Sequence, residues 1–195
     1  IHDDGNIGDC IDRCLRTAMQ MAEENPKVYV PQQFANPANP MVHRQHTALE
    51  ILEDVDGPIH GFCSGVGTGG TITGIGEVLK SHNPEMEIWA VEPENAAILA
   101  GGTIGTHLQM GIGDGVIPEN LNQKIYDHIY IVSDEEALQT AKDLARLEGL
   151  MCGISSGTNV AAALKLAEKL GEGKTVVTVL PDTAERYFST PLFED

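Results

Sequence analysis

The stretch Gly65-Val66-Gly67-Thr68-Gly69-Gly70-Thr71 sets four glycines and two hydroxyls within seven residues, after an apolar run and ahead of a helical pattern. Glycine lets a backbone approach an anion closely, and the free N–H groups of a helix N-terminus carry partial positive charge, so this loop is built to hold a phosphate. Gly65, Gly67 and Gly70 also satisfy G-x-G-x-x-G, and Glu92 closes the following strand where a ribose-binding acid would stand. A nicotinamide dinucleotide is therefore one candidate ligand. The hydroxyls of Thr68, Thr71 and Thr73 suit a compact phosphate monoester instead, and Pro93-Glu94-Asn95 makes Glu92 equally readable as a strand-end turn. The loop indicates a phosphate-bearing ligand without naming it.

Other reactive side chains carry less information. Cys10, Cys14, Cys63 and Cys152 form no C-x-x-C pair, and a chain of this size needs no disulfide staples. Cys10 and Cys14, four apart in a helical pattern, are expected to be small buried hydrophobes on one face. His43, His46 and Glu50 also share a helical face, but they have no Cys or Asp partner at a metal-binding spacing, and no metal site is expected. Ser155, inside Gly153-Ile154-Ser155-Ser156-Gly157, reads as a helix N-cap as readily as a ligand group. Gln33, beside a proline-rich loop, reads on its own as a surface residue.

These residues need elements to position them. Ile7, Ile11, Cys14, Leu15, Ala18 and Met21 recur at helical spacing and predict an amphipathic helix over 7–24, closed by Asn25-Pro26. The pattern predicts strands over 28–30, 59–64, 86–91, 125–132 and 175–180, helices over 41–53 and 71–80, a helix from the Ser133 cap to near Gly149, and a helix that the Gly153–Gly157 turn leads into and that runs through Leu170. Two prolines and two asparagines in 36–40 predict a loop without regular structure. Residues 96–117, rich in glycine and weakly periodic, predict a loop lining a site. Ser133-Asp134-Glu135-Glu136 reads as a capping box. The alternation indicates an α/β fold, a mainly parallel twisted sheet flanked by helices, and residues 1–195 read as one unit without repeats or linkers. Ile1-His2-Asp3-Asp4-Gly5 reads as a strand end and turn, as in a chain that begins in mid-fold.

Composition narrows the partners. The 195 residues are 42% hydrophobic, enough for a core, and carry a formal net charge of −17. That charge repels phosphate backbones and anionic lipid, so the expected partner is a small molecule, with no nucleic acid and no membrane. No apolar run approaches the ~20 residues that span a bilayer, and a cytoplasmic location is expected.

Four motifs occur together in order: Gln32-Gln33-Phe34 with Asn36-Pro37-Ala38-Asn39-Pro40, then the loop of 65–74, then Gly153 to Gly157, then Pro181-Asp182 with Glu185-Arg186-Tyr187. In this the chain resembles the C-terminal two-thirds of the cysteine synthase (O-acetylserine sulfhydrylase) and cystathionine β-synthase family, pyridoxal phosphate enzymes of fold type II. The resemblance implies β-elimination and replacement on serine- or cysteine-type amino acids. The leading expectation is cysteine synthesis from O-acetylserine and sulfide, and a cysteine-consuming lyase that releases hydrogen sulfide is the alternative. More distant readings are the nicotinamide dehydrogenase and a catalytically silent partner-binding domain.

By the same resemblance Gly67, Thr68, Gly69, Gly70 and Thr71 hold the cofactor phosphate. Ser155 meets the pyridine nitrogen, while Gln33 and Gly111 border the amino-acid substrate. A serine offers that nitrogen one neutral hydrogen bond, where an aspartate would keep it protonated, so chemistry at the β-carbon is favoured. A homodimer is also implied. The family's Schiff-base lysine belongs to an N-terminal segment, and none of the seven lysines here stands in its context. These residues are therefore expected to be a fragment, or the ordered part of a longer polypeptide, and inactive alone.

Three departures from the family pattern bear on substrate choice. Gly111-Ile112-Gly113-Asp114-Gly115 replaces the usual Gly-Ile-Gly-Ala-Gly, Leu108-Gln109-Met110 replaces Lys-Ile-Gln, and Thr183-Ala184 replaces Ser-Gly. A carboxylate beside the substrate must be solvated, paired or functional, so Asp114 is a candidate catalytic residue or a turn-stabilising one.

Overall fold

The computed structural model describes residues 7–194; the strand end and turn expected at 1–5 lie outside them. Helix α1, Ile7–Glu24, forms as its apolar spacing predicts and turns Ile11, Leu15 and Ala18 toward Val30, Pro31 and Phe34. The strand expected at 28–30 does not form: these residues have no strand beside them among the described residues, and Tyr29 is 79% exposed.

Regular structure also starts earlier than the prolines suggest. Helix α2, Ala38–Val42, contains Pro40 within its first turn, where a missing N–H breaks no helical bond. The Asn36 side chain accepts from the Ala38 N–H at 3.0 Å and helps start the turn. A π-helical turn, His43–Thr47, then leads into α3, Ala48–Asp54.

The centre of the molecule is β1, Gly61–Gly65, followed by α4, Gly70–His82, and β2, Glu87–Pro93. Next come β3, His128–Val132, α5, Asp134–Asp143, α6, Ile154–Leu170, and β4, Val176–Val177. The four strands are all parallel, in the order β3-β2-β1-β4, with Phe62 opposite Ile88 and Gly61 opposite Val176. Side chains alternate across such a sheet, and both faces are covered here. Phe62, Ile88 and Ala90 pack with Ile72, Ile75 and Leu79 of α4, whereas Cys63, Trp89 and Val91 pack with Ile154, Ala162 and Leu166 of α6. Burying each large apolar side chain contributes about 1.5–3 kcal/mol.

Two strands are shorter than their apolar runs. Beyond Val177 side chains take over from the ladder, with the Thr178 hydroxyl donating to Cys63 O at 2.8 Å and Asn159 Nδ2 donating to Val179 O at 2.8 Å. Ile125 sits in a turn closed by Ile125 N–H to Asn122 O and joins the core under α4 instead of the sheet. The N-cap half of the expected capping box forms, Ser133 Oγ accepting from Glu136 N–H at 3.1 Å. Of the cysteines, Cys63 and Cys152 are buried, but Cys14 is exposed and Cys10 half-buried. The two are therefore not the buried pair expected, because Cys14 faces a cavity mouth. No helix of the described residues is long and apolar enough to cross a membrane.

The chain runs outward from β1 through β2 to β3, then returns to β4 on the other side of β1. In such sheets a crevice opens at the C-terminal strand ends where the order reverses.

Candidate active site

The Gly65–Thr71 loop leaves the C-terminal end of β1 into that crevice. Gly69 adopts φ +76°, a left-handed conformation that glycine takes without steric cost, and starts α4 with no side chain capping its first turn. Apart from Gly70 N–H, which approaches Thr68 Oγ1 at 3.5 Å, the N–H groups of that turn remain available to an anion. Gly67, Thr68, Gly69 and Thr71 line a cavity of about 430 Å³, with Ser155, Asp182 and Tyr187 opposite. Gly70 lies behind this wall, pressed against the Asn39 side chain.

Ser155 resolves one of the open readings. The N-cap of α6 is Gly153, so Ser155 is the second helical residue and not the cap. It is only 4% exposed and faces the cavity. Next to it, Asp182 Oδ2 accepts from the Tyr187 hydroxyl at 2.8 Å, while its Oδ1 is buried with no hydrogen-bond partner among the described residues. Burial and the Asp182 carboxylate push the Tyr187 phenol up to about 12, so it stays a donor. Asn159 fastens the floor, accepting from Gly65 N–H at 2.7 Å through Oδ1.

On the phosphate side, the His43 ring meets Thr71 Oγ1 at 3.4 Å and Thr47 Oγ1 at 3.1 Å. Burial holds the imidazole below its usual range, which favours the neutral form. Among the described residues no cluster of three His, Cys, Asp or Glu side chains is placed to hold a metal.

A second cavity, about 560 Å³, is lined by Gln33, Asp114 and α1 residues, and it shares Thr68 and Gly111 with the first. Asp114 is half-buried in its wall, where desolvation raises its carboxyl above the ordinary range and nearby His107 pulls it partly back. Gln33 is exposed, with its carbonyl oxygen accepting from Asn39 Nδ2 at 2.8 Å and Asn120 Nδ2 at 2.7 Å. None of the seven lysines lines either cavity.

The loop that carries Gly111 and Asp114 is held by groups the sequence reading missed. Gln109 is fully buried. Its Nε2 donates to Val132 O at 3.0 Å and Asp134 Oδ1 at 2.9 Å, and its Oε1 accepts from the Thr158 hydroxyl at 2.8 Å. Gln109 N–H donates to His107 Nδ1 at 3.1 Å, so the ring proton sits on Nε2, which donates to Gly113 O at 3.1 Å. The only available signal was the unusual Leu108-Gln109-Met110.

Glu92 is buried and turned into its own loop, accepting from Leu99 N–H at 2.8 Å and Ala100 N–H at 3.0 Å. Burial pushes its carboxyl up against those bonds. It is a strand-end turn residue, and the dinucleotide reading loses its ribose-binding acid.

The parallel sheet carries a glycine loop at its switch point, facing a serine on the opposite helix. The pattern of the pyridoxal-phosphate dependent enzyme family matches residues 3–182, and the chain belongs to that family. It is 48% identical over 180 residues to a cysteine synthase of Staphylococcus aureus, covering 92% of this chain and 58% of that protein. Among solved structures, the cysteine synthase of Entamoeba histolytica superposes with a TM-score of 0.88 at 41% identity, over 93% of this chain and 54% of that one. A hydrogen sulfide-producing enzyme of Fusobacterium nucleatum superposes with a TM-score of 0.87 at 37% identity, over 92% of this chain and 55% of that one. The chain thus spans little more than half the length of the relatives it matches.

Proposed function

We propose that these residues form the cofactor-phosphate part of a pyridoxal 5'-phosphate enzyme that converts O-acetylserine and sulfide into cysteine and acetate. The observation that carries the reading is that two neighbouring cavities share Thr68 and Gly111 in their walls, one holding the anion cradle and the other Gln33 and Asp114. The residues fit the cofactor. A Cβ on Gly67 would stand 2.3 Å from Gly111 O, so the cradle exists only because that position is glycine. The donors offered are backbone N–H groups and hydroxyls, which suit a phosphate in a chain of net charge −17.

Gly67, Thr68, Gly69 and Thr71 would hold the phosphate, with Gly70 opening the helix behind them, and Ser155 would meet the pyridine nitrogen. Pyridoxal 5'-phosphate, when bound, supplies an electron sink that lets a substituent leave the β-carbon. Gln33 and Gly111 border the space for the amino acid, and a lysine outside these 195 residues would carry the cofactor covalently. The working protein is a homodimer in this reading, which sedimentation would test. An absorbance titration of the intact protein tests the cofactor reading: saturable binding in the parent, lost in Gly69→Asp, supports it, and unchanged affinity in that variant rejects it.

A second activity is favoured by Asp114. Its desolvated carboxyl stands in the wall of the substrate-side cavity, where it could take a proton from water and release sulfide from cysteine, leaving serine. The similarity to a hydrogen sulfide-producing enzyme is in keeping with this.

A further inference from the structure

Asn39 belongs to the Asn-Pro-Ala-Asn-Pro run, which the cofactor reading leaves without a task. Its side-chain amide has two N–H donors, and both are engaged, one with Gln33 O at 2.8 Å and one with Thr68 Oγ1 at 2.9 Å. The amide orientation is forced, because flipping it would set its oxygen against the Gln33 carbonyl. Thr68 Oγ1 is also approached by Gly70 N–H at 3.5 Å. A hydroxyl has two acceptor positions and one donor proton. With both acceptor positions addressed by protein donors, the Thr68 proton is what remains, and Thr68 borders both cavities.

Resting on the cofactor reading above, we propose that Asn39 is a positioning residue: it fixes Thr68 as a hydrogen-bond donor toward the phosphate and ties that donor to the Gln33 segment. A phosphate oxygen only accepts. A Thr68 hydroxyl free to rotate would present a lone pair to it part of the time, weakening the cradle. Through the Gln33 carbonyl, also held by Asn120, the same carboxamide keeps the substrate-side segment in register with the phosphate loop.

The test is a double-mutant cycle on the cofactor-free form of the intact protein, titrated with pyridoxal 5'-phosphate and with pyridoxal, which has no phosphate. Asn39→Ala should weaken pyridoxal 5'-phosphate by about tenfold, the scale of one hydrogen bond to a charged group, and leave pyridoxal within about twofold. Because Asn39 acts through Thr68, Asn39→Ala combined with Thr68→Val should bind no more weakly than Thr68→Val alone. Asn39→Asp keeps the side-chain shape without the donors and should lose at least as much as Asn39→Ala, which covers the case where alanine perturbs folding. Multiplying losses in the double variant, or equal losses for the two ligands, would overturn the proposal while leaving the cofactor reading intact. A parent protein that binds neither ligand would overturn the cofactor reading itself, and this proposal with it.

Discussion

Gly67 and Gly111 meet backbone to backbone, with Gly111 O placed 2.3 Å from where a Cβ of residue 67 would stand. The phosphate loop and the substrate-side loop therefore share a contact that admits no side chain, and Gly111 borders both cavities beside it.

Gly67→Ala should push the 111–114 loop outward. Overpacking of this kind costs about 1–3 kcal/mol. A lowered denaturation midpoint together with weakened pyridoxal 5'-phosphate binding is the expected result. A variant with parental stability and affinity would show that the contact is dispensable.

Ser155→Ala should leave stability within about 0.5 kcal/mol, because Gly153 and not Ser155 caps α6. The absorbance spectrum of the bound cofactor should change. The reverse outcome, a stability loss near 1 kcal/mol with an unaltered spectrum, would return Ser155 to a capping role.

Asp114→Asn separates two consequences of one buried carboxyl. Its folded pKa is raised by desolvation, so the stability it contributes is full below the ordinary aspartate range and falls as pH rises through the folded value. The asparagine variant should therefore be the more stable protein at neutral pH, with the difference closing in acid. Sulfide release from cysteine should fall about 10²–10⁴-fold, more than cysteine formation does. Equal changes in the two activities would leave Asp114 as a turn residue.

Thr158→Val removes the donor to Gln109 Oε1 inside a fully buried network. An unsatisfied buried acceptor costs about 1–3 kcal/mol, and the chemical denaturation midpoint should fall accordingly. No change would mean that another donor reaches the amide.

Borohydride reduction of the 195-residue chain with pyridoxal 5'-phosphate, followed by peptide mapping, should label no lysine stoichiometrically. Lys80, Lys165 and Lys169 are paired with Asp127, Glu168 and Glu87, Lys142 bonds Glu194 O, and no lysine lines either of the two cavities of the site. Specific labelling of any one of the seven would contradict that geometry.

Much of this site is local in the chain and was legible for that reason. Gly65 to Thr71 carries its strand, turn and helix start within one stretch, and Ser155 lies two residues after the glycine that caps its helix. Other parts depend on distant partners. Gln109 looks like any polar loop residue until Val132, 23 residues on, and Thr158, 49 residues on, surround it. Asn39 acquires its role from Thr68, 29 residues away.

The strand errors have the same origin. Residues 28–30 have the apolar pattern of a strand but no neighbour beside them among the described residues, and 178–180 exchange the ladder for bonds from Thr178 and Asn159 side chains. An apolar run records a preference for burial, while pairing depends on what stands alongside.

The pairing of β1 with β4 also orders events during synthesis. Thr178 reaches Cys63 across 115 residues, so the glycine loop emerges from the ribosome long before the segment that walls its far side. At about 5–20 residues per second that interval is on the order of ten seconds. Throughout it, β1 presents an unpaired edge with Phe62 and Cys63 beside it, a surface that a nascent chain must keep from pairing elsewhere until residues 176–177 arrive.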